Sequence, residues 1–570
     1  MKTRTMTIIA AILTLAAALP GQSKDLDVQA LPTEVGTLPA APGGVLKLDL
    51  AGAYQLALTR NLDLQVGRYD LAMSDTTVRG SGGIFDPALR AWINGDSTQS
   101  PTSSVLQGAN VYKNRDARFG LSLDTLLPTG AQIGLEATST RSENNSTFFF
   151  LNPQWNAGFT ASLTQPLLNG FGTVVNRASI VIAENLRDQT SVGFEVSVIQ
   201  TLLNVEQAYW ELVATREAVK VTEQSLELAQ RLLDETEQRV EVGTSAPIDL
   251  VQSEATVASR KQEVIYAYNA AGTAEDNLKG FLGFDLPKEW QTRIETTDSY
   301  EVEPIELDLD NSIATALEKR PAILQQELEM QRLGLEVKVA RNQKLPSLNL
   351  TGSYGFAGLS GTSVIEDPVT GEPVTIRQGW GDAGKQVLQG DFPGWTLGIQ
   401  YSVPLGNHQA EEQLARARYA LDRGEVQLAA LRQEIIRQVR FAVRAVEDGA
   451  AAIDAAVAAS KLAVRNLEAE QTKFNNGLST NFQVSQIQEA LATAQLSEIR
   501  ARVDYRKALA AYYSATGTYL QSKSVEIVDP GAPESVHDYW KDVKWMQFVD
   551  FHQASDQVTI PAEQVSTGTE

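Results

Sequence analysis

The chain has no cysteine, and its three histidines, His408, His537 and His552, lie far apart. The first absence removes thiol catalysis, disulfide frameworks and cysteine-ligated zinc or iron-sulfur centres. The second leaves no pair at ligand spacing, so no histidine metal centre is expected. Positive charge is also scarce: 48 Lys and Arg against 70 Asp and Glu give 570 residues a formal net charge of -22. Such a field repels polyanions, and nucleic acid is not an expected partner. Carboxylates are many but scattered, with no Ser, His and Asp set assembled by sequence, so neither an enzyme nor a cofactor is expected. After the N-terminus no stretch reaches about eighteen uninterrupted apolar residues, so a mature chain that enters a bilayer must do so as a β-barrel.

The N-terminus itself carries a pattern. Lys2 and Arg4 precede an apolar run from Met6 to Leu19, and Pro20-Gly21-Gln22-Ser23 follows. These are the charged, hydrophobic and small-residue zones of a secretory signal peptide, expected over residues 1–23, with a linker over 24–44. The run is too short to span a bilayer well.

The chain then repeats itself. Ala57-Leu58-Thr59-Arg60-Asn61 returns as Ala316-Leu317-Glu318-Lys319-Arg320, and Pro87 as Pro346, both 259 residues later. Gln165-Pro166-Leu167 matches Val403-Pro404-Leu405 at 238, and Gly243-Thr244-Ser245 matches Gly477-Leu478-Ser479 at 234. Signals in one order with shrinking offsets mark a tandem duplication. The units are expected at 45–286 and 312–521, joined by a linker at 287–311. An acidic extension at 522–570, with Tyr539, Trp540, Trp545, Phe548 and Phe551 close together, lies outside the repeat.

Each unit reads as helix, strands, then two very long helices. No proline interrupts Pro166 to Pro247 or Pro404 to Pro530. In the first tract Val205, Leu212, Val219, Leu226, Leu233 and Val240 recur at sevens, with a small-residue row of Ala208, Thr215, Thr222, Ala229 and Thr236 between them. In the second, spacings of four and three run from Val439, Val443 and Val446 to Phe474. Both are coiled-coil seams. Helical hairpins are expected at about 174–283, with a tip near 243–249, and about 407–519, with a tip near 477–486. At ~1.5 Å per residue each long helix is a rod on the order of 100 Å.

Strands are expected at about 87–165 and 346–403. Phe119, Leu121 and Leu123 alternate with polar residues; so do the stretches 132–137, 158–163, 347–350 and 396–401. Trp92, Trp155, Phe159, Tyr354, Trp395 and Tyr401 lie at or near strand ends, as in an aromatic girdle. Polar loops are expected at 97–115, 142–156 and 359–390, and a tight turn at Leu127-Pro128-Thr129-Gly130. Long loops on one side and short turns on the other are an outer-membrane pattern.

On these residues the chain resembles the TolC family of outer-membrane efflux and secretion channels. The most specific stretches are Leu48 to Ala53 with Ala57-Leu58, Gln165 to Gly172 with Asn176-Arg177-Ala178, and the tips Val242 to Asp249 and Asn476 to Gln486. The resemblance implies a membrane α+β protein: a trimeric transmembrane β-barrel in the outer membrane continued by a long α-helical coiled-coil tunnel into the periplasm, built as a tandem internal repeat. It implies four strands per protomer in a twelve-stranded barrel. A hairpin around Phe119 to Ala137 departs from that pattern and raises the count to six, unless it projects from the wall. The implied function is a passive homotrimeric exit duct of a tripartite efflux pump or type I secretion system, embedded in outer-membrane lipid and coupled to an inner-membrane transporter through a periplasmic adaptor protein. The resemblance places the pore entrance at Asp249, Gln483 and Gln486. The two glutamines stand where the best-known members have aspartates, which puts an acidic gate there in question. For Asp249 a helix N-terminal carboxylate after Pro247 is an equal reading. Adaptor docking is implied at Val242, Gly243, Thr244, Asn476, Gly477 and Leu478. The alternative is a soluble periplasmic coiled-coil scaffold, or an adaptor itself.

Overall fold

The computed structural model describes residues 44–103, 108–366 and 371–525. The expected signal peptide, nearly all of the 24–44 linker and the extension beyond residue 525 lie outside them.

A short strand, β1 (Val45–Leu48), leads into helices α1 (Leu50–Arg60) and α2 (Leu62–Ser81). Both helices start where a side chain takes over an orphan amide: Asp49 accepts from Gly52 N at 3.0 Å, and Asn61 from Leu64 N at 3.1 Å. Four strands follow, β2 (Ala88–Pro101), β3 (Val111–Leu126), β4 (Gln132–Asn144) and β5 (Gln154–Pro166). The chain then runs 64 residues down α3 (Ala178–Glu241) and back up α4 (Pro247–Phe281). After β6 (Arg293–Thr296) the second unit repeats the order with α5 (Leu309–Lys319), α6 (Pro321–Gln343), β7 (Ser347–Glu366), β8 (Pro373–Arg377), α7 (Trp380–Gln389) and β9 (Phe392–Ser402). It closes on α8 (His408–Asn475), 68 residues long, and α9 (Asn481–Ala515).

The strands form one curled antiparallel sheet in the order β2-β3-β4-β5-β7, with β9 along the lower part of β7 and β8 along its upper end. Six of these strands are long, where the family resemblance implied four. The strands also reach further than expected. β2 runs on to Pro101 and β3 begins at Val111, and the expected 359–390 loop holds the end of β7, all of β8 and α7. Where both sheet faces meet water, a strand carries no apolar alternation, so its Ser, Thr and Gln residues read as loop.

Two of the four junctions between sheet and helices are glycine bends. At the first, Gly170 (φ +82°) and Gly172 (φ +103°) turn the backbone left-handed, and Asn176 Nδ2 donates to both carbonyls at 2.8 and 2.9 Å. Gly170-Phe171-Gly172 is thus a strand-to-helix bend. Gly406 (φ +97°) does the same before α8.

The best-packed region is the belt where the short elements wrap the long helices. Leu46, Leu48, Ala53, Tyr54 and Leu64 pack on Leu202, Tyr209, Trp210 and Leu212 of α3, with Leu278, Val503 and Tyr519 closing the cluster. β1 and β6 pair in parallel on it. One carboxylate sits inside: Glu206, 4% exposed, accepts from Tyr54 Oη and Tyr519 Oη at 2.7 Å each and from Lys523 Nζ at 2.8 Å. Burial pushes both phenols far above their ordinary values and the Glu206 charge pushes the same way, so they remain donors. Nearby, buried Arg60 pairs with Glu289 at 2.7 Å and Asp285 at 3.3 Å.

Glu206 therefore ties the N-terminal helix, the first long helix and the turn after α9 together. Replacing it with Ala strands Lys523 and two buried phenols, and Glu206→Ala is expected to cost on the order of 3 kcal/mol. Glu206→Gln, which keeps an acceptor, should cost distinctly less. Thermal unfolding of the two variants in detergent checks this; equal Tm losses would mean the carboxylate is not the organising group.

Candidate functional site: the sheet faces and the hairpin tips

Register decides which side chains share a face of the sheet. Leu89, Ala91 and Ile93 of β2 pair with Leu123, Leu121 and Phe119 of β3, and Leu123 and Leu121 pair onward with Leu135 and Ala137 of β4. The same face continues through Leu163, Ala161 and Phe159 of β5 and Tyr354 and Phe356 of β7 to Leu397, Ile399 and Tyr401 of β9. It is an apolar band across all six long strands and much of it is open, with Leu397 67% and Ile399 71% exposed. A band about 25 Å tall is what an outer-membrane barrel turns to lipid. Above it, α7 lies against β7, where Gly358 leaves room: a Cβ there would meet the Ala383 carbonyl oxygen at 2.0 Å.

The opposite face is polar apart from Trp92, whose ring lies over Gly120 there and not with the other expected girdle aromatics. Arg90 pairs with Asp124 at 2.8 Å, and Arg118 with Asp116 at 2.8 Å and Asp96 at 3.4 Å. On β5, β7 and β9 the same face carries Thr160, Ser162, Thr351, Ser353, Thr396 and Gln400.

At the far end of the long helices the two hairpin tips sit side by side. In the first, Gly243 (φ +76°) ends α3, and Thr244 and Ser245 donate their amides to Arg239 O at 2.8 and 3.2 Å. In the second, Gly477 (φ +75°) ends α8 and Leu478 N donates to Lys473 O at 2.9 Å. Both are left-handed helix ends that favour glycine, and a Cβ on either would meet nothing within 4 Å. Val242 (73%) and Leu478 (79%) stand open beside them, with Thr244 and Asn476 also exposed.

The three expected entrance residues are placed differently. Asp249 is half-buried one turn into α4, and its Oδ2 accepts from Ala246 N at 3.2 Å, so it caps that helix. Gln483 and Gln486 are exposed on α9. The two tips are joined by residues that sequence reasoning missed. Asn481 Nδ2 donates to Asp249 O at 3.2 Å and to Ser253 Oγ. Arg239 Nη1 donates to Phe474 O at 3.2 Å, its guanidinium 4.0 Å from the centre of the Phe474 ring. Leu232, Phe474 and Val484 form a small core beneath. Only the repeat offset hinted at these contacts, because each crosses more than 220 residues of chain. Glu470 braces the second tip: its carboxylate accepts from Ser479 Oγ at 2.5 Å and Lys473 Nζ at 3.0 Å.

Comparison with known proteins agrees with this geometry. The model of the family described as outer membrane efflux protein matches twice, at residues 124–284 and 312–518. The chain is 23% identical over 394 residues to the outer membrane protein TolC of Escherichia coli K12, covering 69% of this chain and 75% of that one. It is 22% identical over 431 residues to the pyoverdine export outer membrane protein OpmQ of Pseudomonas aeruginosa, covering 74% and 81%. Its fold matches the Campylobacter jejuni CmeC outer membrane channel with a TM-score of 0.60 at 15% identity over 88% of this chain and 90% of that one.

The bonds from Ser479 and Lys473 hold the Glu470 carboxyl below its ordinary value. A depressed folded value stabilises above the ordinary one, and the gain is lost as pH falls through the depressed one. The Tm gap between the protein and Glu470→Gln should therefore shrink as pH drops from about 7 to about 3. A gap that stays constant would show that the charge on Glu470 does not brace the tip.

Proposed function

The chain belongs to the outer membrane efflux protein family, channels of the outer membrane whose helices reach into the periplasm, and from that premise we propose that three copies form one passive exit duct. The observation that carries this lies on the long helices. In α3 the small-residue row packs inside the protomer, with Ala208, Thr222, Ala229 and Thr236 buried, while Val219, Leu226, Leu233 and Val240 stay half-buried. On α4 and α8, Ile265, Tyr266, Tyr419 and Phe441 are more than 60% exposed. Apolar rows of that length on a soluble face call for neighbouring helices, and further copies of the same seam supply them. A soluble scaffold would in addition leave the apolar band of the sheet in water.

In the duct an inner-membrane transporter drives cargo, and a periplasmic adaptor joins it to the tips. Val242, Gly243 and Thr244 form one docking surface and Asn476, Gly477 and Leu478 the other; their different flanks give them unequal shares. Threefold symmetry turns Asp249 into a ring of three carboxylates at the entrance, with the uncharged Gln483 and Gln486 lining the second repeat's share. The ring and the helix cap are compatible roles for one side chain, since only one oxygen takes the Ala246 amide.

Two experiments test this reading. The protein should require detergent, purify as a trimer and conduct ions in planar bilayers. In the same recordings Asp249→Asn should lower cation preference and weaken block by multivalent cations while costing no more than about 0.5 kcal/mol, because the Asn side-chain oxygen can still accept from the Ala246 amide; unchanged selectivity would remove Asp249 from the entrance. A monomer soluble without detergent would sink the duct altogether.

For docking, Gly243→Trp or Gly477→Trp should abolish export and adaptor cross-linking with normal trimer yield. Gly243→Asn and Gly477→Asn serve as controls, since Asn tolerates the left-handed conformation, and should export normally. Export by both Trp variants, or loss of the trimer, would count against docking at these tips.

A further inference from the structure

The hairpin of β3 and β4 has no counterpart in the second unit, where β7 and β9 pair directly. In the first unit β2 and β5, the strands attached to the helices, do not pair at all: β2 pairs with β3 from Ala88 to Pro101, and β5 pairs with β4 from Gln154 to Thr164. We infer that this hairpin is part of the membrane wall, and that β9 of one copy pairs with β2 of the next to close a barrel of eighteen strands, six from each of three copies. The inference rests on the trimeric duct proposed above and adds to it the pairing surface and the size of the pore.

Four observations carry it. First, the hairpin has the two faces of a wall. Phe119, Leu121, Leu123 and Leu135 continue the apolar band, while Asp116, Arg118, Asp124 and Glu136 lie on the polar face. A hairpin hanging in the lumen would turn the first set to water, and one lying outside the wall would turn the second set to lipid. Second, its base is fixed to the strand-to-helix bend. Gly172 N donates to Thr129 O at 3.2 Å, Gln165 Nε2 does so at 3.3 Å, and Gly130 sits so close that a Cβ would meet Gly170 O at 2.3 Å.

Third, the two free edges suit one another. Along an antiparallel sheet of six strands the directions alternate, so β2 and β9 run oppositely and a second copy can extend the ladder. Both are exposed along almost their whole length. Open edges are not tolerated in hydrocarbon, where no water replaces the missing hydrogen bonds. Fourth, the sheet already has the stagger of a closed barrel. The line of paired residues through Leu89, Leu123, Leu135, Ala161, Tyr354 and Trp395 starts one residue above the foot of β2 at Ala88 and ends seven above the foot of β9 at Ser402. That is a stagger of about one residue per strand, the ratio of barrels tilted by about 36°, within the usual roughly 35–45°.

Closure with an even offset keeps apolar side chains on one face, so Ile399 lies beside Ala91 or Ile93 of the next copy. Diameter grows roughly linearly with strand number, so this pore is about one and a half times as wide as a twelve-stranded one.

The absence of native cysteine makes the test direct. An environment-sensitive thiol fluorophore is placed at Leu121→Cys or Ser122→Cys in full-length trimers in vesicles of brominated phosphatidylcholine. Quenching at 121 should exceed that at 122 at least twofold, and a membrane-impermeant maleimide should react faster at 122. Separately, Ile399→Cys combined with Ala91→Cys, or with Ile93→Cys, should give covalent trimers on oxidation in at least one pair, and neither single variant should. Equal quenching at 121 and 122, or no covalent trimer from either pair, in trimers that still conduct, would overturn the eighteen-stranded wall and leave the duct standing. Failure to form any trimer would overturn both.

Discussion

In hydrocarbon every backbone amide and carbonyl must find a protein partner, and one copy of this chain cannot provide them all. Among the described residues its sheet ends on β2 at one side and on β9, with the short β8 above it, at the other, each bonded on one side only. Much else follows from that constraint. The apolar band is useful only if the sheet is closed, and the half-buried Val219, Leu226 and Leu233 of α3 likewise lack full cover within one copy. The trimer proposed above answers both needs with one assembly.

Between them the belt around α3 transmits position. Two units carry similar elements in similar order, yet they are not joined by symmetry-equivalent contacts. The first unit holds the buried knot of Glu206, Tyr54, Tyr519 and Lys523, to which the turn after α9 contributes from the far end of the chain. The second unit packs Ile435, Val439 and Val443 on Ala316 and Ile323, an apolar contact without a buried carboxylate. A charge inside the belt is specific about geometry, since a misplaced partner leaves it unpaired, whereas an apolar contact tolerates small slides.

The tips show the same division of labour at smaller scale. Asn481 and Arg239 cross from one repeat to the other, so the two tips form one braced body instead of independent loops. Asp249 holds its helix start and offers a carboxylate at once. A residue that serves a backbone amide stays in place without help from packing.

The one-dimensional features were legible in the amino-acid sequence. Heptads from Val205 to Val240, the proline-free tracts, the alternation of Phe119, Leu121 and Leu123, and the 259- and 234-residue echoes all follow from periods of 3.5 and 2 or from direct repetition. They sufficed for the fold class, the duplication and the need for a barrel. What they could not carry was pairing across distance. That β3 and β4 enter between β2 and β5, that polar stretches such as 97–101 and 359–366 are strand, and that Asn481 meets Ser253 depend on which segments lie side by side. Alternation tells a strand which face is apolar but not which neighbour it takes, and a polar rim with water on both sides loses even the alternation. Only the folded sheet, where each backbone hydrogen bond must choose one partner, decided those.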